Sequence, residues 1–214
     1  TDFLALLRER ASQHGAILIF DEVMTSRLGP TGRQGALGII PDMTTLGKYV
    51  GGGMTAGAFG GRADIMAHYD PREKGHFVHH GTFNNNVLTL AGGAAGLEKV
   101  YTPEAATALT AAGETLRARL NELGQKHGLP FQAAGYGSLM NIHFVDGKIR
   151  SHKDLAGRNL TALDLFHLEM IAASIYITRR GYIALSLALS DDDHDYFVAE
   201  VDKFLSANGS LIAP

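Results

Sequence analysis

The chain has 214 residues, 45% hydrophobic and 19% charged, with a net charge of −3 and no cysteine. This ordinary globular balance provides for one large or two small domains and excludes a disulfide framework, a thiolate metal site and a cysteine nucleophile. The mild acidity leaves no basic footprint for nucleic acid or an anionic membrane, and no apolar run approaches the ~20 residues needed to cross a bilayer. Lack of cysteine fits a reducing, cytoplasmic setting.

Phe3, Leu4, Leu6, Leu7 and Ala11 follow a helical period, with Asp2 as N-cap and Gly15 as the stop. The chain opens directly in this helix, without an initiator methionine or a basic leader, and reads as a processed or partial sequence. Ala16 to Phe20 is a continuous apolar run, the pattern of a strand buried on both faces of a parallel sheet. Residues 22 to 42 carry Gly29, Pro30, Gly32, Gly35, Gly38 and Pro41, so a long loop with about one helical turn is expected there. Met43–Leu46 and Ala56–Gly60 read as short strands, and Ala63 to about His68 as a helix. After a polar loop over Asp70 to Gly81, a small-residue helix is expected from Val87 to about Lys99. The helix propensity lost at its glycines points to close packing against another element. Thr102-Pro103-Glu104 then starts a long helix to about His127, with Pro103 at its first position. Beyond it, strands are predicted at Leu129–Ala134, Ser138–Val145, Ile175–Ile177 and Ile183–Leu187, and helices at Leu160–Ala173 and Asp192–Leu205. The change of pattern places a boundary near residue 101: residues 1–101 end an α/β domain with a mostly parallel sheet, and 102–214 form a smaller α+β domain.

Two groups stand out chemically. Lys48 is delivered by Thr44-Thr45-Leu46-Gly47 into the glycine patch Gly51-Gly52-Gly53, where backbone can approach something bulky. A lysine amine becomes a catalyst when its pKa falls or when it condenses with an aldehyde. Asp21 ends the first strand, at the carboxyl edge where α/β sheets place ligands. Alone, Asp21 is a turn former and Lys48 an exposed turn lysine. Together, 27 residues apart at the ends of successive strands, they suit a protonated pyridine ring acting as electron sink.

Three blocks resemble the class III aminotransferases of fold type I. They are Ile17-Leu18-Ile19-Phe20-Asp21-Glu22-Val23-Met24-Thr25, Thr44 through Gly53, and Gly57-Ala58-Phe59-Gly60-Gly61-Arg62. Gly81-Thr82-Phe83-Asn84-Asn85-Asn86-Val87, Tyr101-Thr102-Pro103-Glu104-Ala105-Ala106 and Arg180 through Leu187 are similar to the branch of aromatic β-amino acid (β-phenylalanine) aminotransferases and glutamate-1-semialdehyde aminomutases, on the β-phenylalanine side. The resemblance implies part of a pyridoxal-phosphate-binding large domain, a small carboxyl-terminal domain and a homodimer with shared active sites. It implies pyridoxal 5′-phosphate as cofactor and amino transfer from an amino acid, such as an aromatic β-amino acid, to a 2-oxo acid. The alternatives are an aminomutase, or a non-catalytic partial chain. By the same resemblance Lys48 would form the internal aldimine and shuttle a proton, and Asp21 would pair with the ring nitrogen. Val23 would pack on a ring face, and Thr82 would bond the phosphate from the neighbouring subunit. Arg180, ahead of Arg179, would hold a substrate carboxylate with its planar fork. Thr82 reads equally as a cap for the helix near Val87.

The chain departs from the family twice. Met24-Thr25-Ser26-Arg27-Leu28-Gly29-Pro30 replaces a common Gly-Phe-Gly-Arg-Thr-Gly. The family's amino-terminal half, with its phosphate-cradling loop, lies outside these residues, so this piece alone is expected to bind the cofactor poorly. Other patterns carry less. Gly51-x-Gly53-x-x-Ala56 leads into a strand where a dinucleotide fingerprint should open a helix. His76, His79 and His80 lack a carboxylate at ligand spacing and read as a solvated loop. Asp191, Asp193 and Asp195 imitate a calcium loop but meet Tyr196 where glycine is required, and read as acidic residues at a helix start. No metal is expected.

Overall fold

The computed structural model describes residues 2–213, which fall into two compact units that divide between Thr107 and Ala108. Among the described residues no helix is long and apolar enough to cross a membrane.

The first unit begins with α1 (Asp2–Gln13), which stops at Gly15, where φ is +63°. Its sheet has the order β1 (Ile19–Asp21), β2 (Met43–Gly47), β3 (Gly57–Gly61). β1 runs parallel to β2 with Asp21 opposite Thr45, and β3 runs antiparallel to β2 with Gly57 opposite Gly47. The apolar run expected to be a doubly buried strand behaves otherwise. Only two of its residues, Ile19 and Phe20, join the ladder, and Ile17 and Ile19 are 54% and 53% exposed. A strand's side chains are buried by what packs on the sheet faces, and among the described residues β1 has β2 as its one neighbour.

Between β1 and β2 the expected loop holds a 3₁₀ turn (Thr25–Leu28) and α2 (Gly32–Leu37). Glu22, 1% exposed, organises it: its carboxylate accepts from the Thr25 hydroxyl at 2.6 Å, the Arg33 amide at 3.1 Å and the Gln34 amide at 2.6 Å. These amides are the free N–H groups at the start of α2, which a buried carboxylate satisfies while the helix dipole favours its charge. Asp42 does comparable work at the opposite end of the sheet from Lys48. Its carboxylate takes the Leu18 amide at 2.7 Å and the guanidinium groups of Arg8 and Arg62, each at 2.8 Å. The Leu18 amide, then the two arginines, hold it far below the usual carboxylate range. One side chain thereby ties α1, the entry to β1 and the exit of β3.

Beyond α3 (Ala63–Met66), α4 (Val87–Lys99) forms where the small-residue pattern placed it. Its cap is Asn86, whose side-chain oxygen accepts from the Leu88 amide at 2.9 Å and the Thr89 amide at 3.3 Å. The capping role offered for Thr82 therefore falls to Asn86, which sits at the N-cap itself, whereas Thr82 is four residues upstream. α5 (Pro103–His127) starts at Pro103 as expected and continues into the second unit.

The second unit is an antiparallel sheet, β4 (Phe131–Tyr136), β5 (Leu139–Phe144), β6 (Tyr182–Ala184), in that order. Phe131, Met140, Ile142, Phe144 and Ile183 alternate onto its buried face. Against them pack Leu116 and Leu120 of α5, Phe166 and Met170 of α6 (Leu160–Ala172), and Val201 and Phe204 of α7 (Asp191–Ala207). The Phe131, Phe144, Phe166 and Phe204 rings meet tilted or edge-on, with centroids 5.1–6.1 Å apart. Ile175–Ile177, expected as a strand, pairs with no ladder; Ile177 is buried but the His167 ring nitrogen Nδ1 takes its carbonyl at 3.0 Å. α7 opens with a capping box in which Ser190 and Asp193 exchange hydrogen bonds, as an acidic helix start should. α8 (Gly209–Ile212) closes the chain.

Candidate active site

β1 and β2 end side by side, and both expected chemical groups emerge there. The register sets Asp21 beside Thr45, three residues before Lys48. Asp21 Oδ1 accepts from the Val23 amide at 3.0 Å and the Thr45 hydroxyl at 3.2 Å. These two donors orient the carboxylate and leave Oδ2 without a partner among the described residues. Thr45 is a positioning partner that sequence reading missed; only strand register reveals it.

Val23 turns back over the same end. Its Cγ1 and the Ala56 carbonyl oxygen each lie 3.3 Å from where a Cβ on Gly47 would stand, so a side chain before Lys48 would press on both. Lys48 follows with φ +56°, in the left-handed region that a side chain adopts at a cost. It is exposed, and among the described residues its amine has no hydrogen-bond or ion-pair partner. A non-glycine residue held this way is over-determined by its neighbours, and α4 packs on the turn that follows it. A Cβ on Gly93 would collide with the Val50 carbonyl oxygen, and one on Gly52 with the Gly92 backbone. The glycines of α4 thus let the helix lie directly on the Lys48–Gly51 turn, which is the close packing their cost in propensity predicted.

Thr82 is exposed in the irregular stretch before α4, and no hydrogen bond among the described residues links it to Asp21 or Lys48. Nearby, the His79 ring meets Phe59 edge-on at 5.2 Å, and the His76 ring hydrogen-bonds the Glu73 carbonyl. Among the described residues no three His, Cys, Asp or Glu side chains are grouped to hold a metal ion.

Arg180 belongs to the second unit, just before β6. Its guanidinium carbon lies 5.3 Å from the Tyr182 ring centroid, and its carbonyl accepts from the Asn141 side chain at 3.2 Å. Arg179 is committed elsewhere, in a two-pronged pair with Asp164 at 2.8 and 2.6 Å. Of the two, Arg180 is the one without a carboxylate partner among the described residues.

Residues 1–195 match the model of a family described as aminotransferase class III. The chain belongs to that family. The β-phenylalanine transaminase of Variovorax paradoxus is 54% identical over 211 residues, covering 99% of this chain and 48% of that one. The crystal structure of a β-phenylalanine aminotransferase from Variovorax paradoxus superposes with a TM-score of 0.96 at 55% identity, over 98% of this chain and 49% of that chain. A glutamate-1-semialdehyde 2,1-aminomutase of Bordetella avium is 38% identical over 192 residues, 89% of this chain and 44% of the relative. This class III chain therefore spans about half the length of the curated relatives it matches.

Proposed function

We propose that these residues form part of a pyridoxal-phosphate-dependent aminotransferase that moves an amino group from an aromatic β-amino acid to a 2-oxo acid. The observation that carries this is the pairing of β1 with β2, which sets an oriented carboxylate with one open oxygen and an unpartnered amine at the same sheet edge. The group fits them: an anionic oxygen suits a pyridinium N–H, and an exposed amine suits an aldehyde. Bound there, pyridoxal phosphate would supply an electron sink for the pair released at the substrate carbon.

The chain's own groups take the remaining roles. Asp21 holds the proton at the ring nitrogen, its charge fixed in place by Val23 and Thr45. Lys48 Nζ would take the proton from the substrate's amine-bearing carbon and deliver it to the cofactor carbon that receives the amino group. Val23 covers one ring face, and Thr82 donates its hydroxyl to the phosphate. Arg180 presents its fork to a substrate carboxylate, stacked on Tyr182. We extend this reading to a homodimer in which Thr82 serves the neighbouring copy. The apolar side chains that α4 leaves exposed, Val87, Leu88, Leu90 and Leu97, support it. The β-amino acid preference rests on 54% identity to the β-phenylalanine transaminase, against 38% for the aminomutase.

The natural full-length chain, incubated with pyridoxal phosphate and reduced with borohydride, should carry label at Lys48 and turn over β-phenylalanine with 2-oxoglutarate. The 214-residue piece should retain little label. No label at Lys48 in the full-length chain refutes the cofactor reading; label with turnover only of glutamate-1-semialdehyde refutes the substrate reading.

A further inference from the structure

Tyr101 follows α4 by two residues and reaches two distant segments with one side chain. Its hydroxyl donates to the Arg27 carbonyl at 2.6 Å, and its ring lies 4.8 Å from that of Tyr49, centroid to centroid. Tyr49 is the residue after Lys48. Arg27 lies in the turn that leaves β1 by way of Asp21 and Val23. The Tyr101 amide is itself fixed, donating to the Gly96 carbonyl at 2.7 Å. Burial raises the phenol above its ordinary range, so it stays protonated and remains a donor at any working pH.

A lysine at positive φ persists only where its surroundings leave no alternative. The collisions of Gly93 and Gly52 with neighbouring backbone constrain the far side of the turn, but they act on Val50 and Gly52 rather than on Lys48's neighbour. Tyr49 is held by the Tyr101 ring. Through the Arg27 carbonyl the same residue also holds the segment that follows Asp21.

We propose that Tyr101 is a positioning residue for the candidate active site, clamping the Lys48 turn and the segment after Asp21 to one another and so setting where the amine stands. This rests on the assignment of Lys48 and Asp21 made above. The ring contact acts on Lys48 through Tyr49, and the hydroxyl acts on the Asp21 side, so the two can be removed separately.

Tyr101→Phe keeps the ring and loses the hydroxyl bond; Tyr101→Leu loses both. In the natural full-length chain, borohydride labelling of Lys48 by pyridoxal phosphate should slow about tenfold in Tyr101→Leu and less in Tyr101→Phe, reacting groups being sensitive to placement at the ångström scale. A second readout needs no cofactor. Acetylation by acetic anhydride, quantified for each lysine, should change at Lys48 relative to Lys74 and Lys99 in Tyr101→Leu. Unchanged labelling and acetylation at Lys48 overturn the proposal. So does a loss of labelling that only tracks the unfolded fraction measured by a thermal melt, because that is a structural role. If the unaltered chain takes no label at Lys48, the cofactor assignment fails, and the acetylation comparison alone decides whether Tyr101 positions the amine.

Discussion

Gly93 offers a test in which two physical effects oppose each other. Replacing a helix-interior glycine with alanine ordinarily stabilises by about 0.5–1 kcal/mol, because less backbone entropy is lost on folding. At Gly93 the new Cβ would lie well under 3.0 Å from the Val50 carbonyl oxygen, inside the ~3.3–3.6 Å at which carbon and oxygen rest. The helix or the turn must then give by several tenths of an ångström, and an overpacked contact of this kind costs about 1–3 kcal/mol. Gly93→Ala should therefore destabilise by about 1–2 kcal/mol net. Gly96 is the control on the same helix: a Cβ there would stand 3.4 Å from Gly52 Cα, an ordinary contact. Gly96→Ala should be neutral or stabilising by up to about 1 kcal/mol. Urea unfolding of the natural chain separates the two variants by their midpoints, on the order of 1 M for a typical slope. Labelling at Lys48 should fall in Gly93→Ala and hold in Gly96→Ala, since Val50 is two residues from the lysine. A Gly93→Ala protein at least as stable as Gly96→Ala would refute the claim that α4 rests on the Lys48 turn by direct backbone contact.

Other substitutions probe the groups that hold the site from behind. Glu22→Gln turns one of two accepting oxygens into a donor facing an N–H or O–H donor. It should cost about 1–3 kcal/mol and loosen residues 25–34, seen as faster amide exchange at Arg33 and Gln34; unchanged exchange counts against the carboxylate's organising role. Asp42 is held below its unfolded range, so its contribution is present at neutral pH and is lost as pH falls below about 4. Asp42→Asn should lower the melting temperature at pH 7 by more than at pH 3, with the gap still closing below pH 3; a gap that stays constant from pH 7 to pH 2 would contradict the linkage. His143, buried on β5, has its pKa lowered by burial and then by the Arg158 charge, and its Nδ1 has no hydrogen-bond partner among the described residues. The unfolded chain then binds a proton that the folded one refuses, so stability should fall as pH drops through about 6.5. His143→Gln should flatten that slope in thermal melts between pH 7.5 and 5, and an unaltered slope would show that other groups carry it.

Much of the site was legible because its chemistry lies in short, ordered blocks. Asp21 and Lys48 each follow a strand-like segment, and the carboxyl edge of an α/β sheet is where a ligand is expected. α4 and α5 were equally legible, one from its run of small residues and one from Pro103. The groups that orient the site left no such trace. Thr45 is one threonine of two until the register sets it beside Asp21. Glu22 and Asp42 are carboxylates that look exposed by composition, and they are buried only because amides and arginines from distant positions converge on them. Tyr101 was legible as part of a family block, while its bond to Arg27 spans 74 residues. Asn86 could have been found: an asparagine immediately before a helical run is a stronger cap signal than a threonine four residues earlier.

The sequence by itself determined most of the segments that are helix or strand and singled out Lys48 and Asp21 as candidates, because side-chain periodicity and backbone preference act over a few residues. Tertiary structure alone decided that β3 runs antiparallel to β2, that Ile175–Ile177 joins no ladder, and that β1 stands half exposed. It also decided that Lys48 takes a positive φ beneath a helix of glycines. Burial, strand direction and strain are set by the neighbours a residue meets, and those neighbours come from parts of the chain that no local pattern connects.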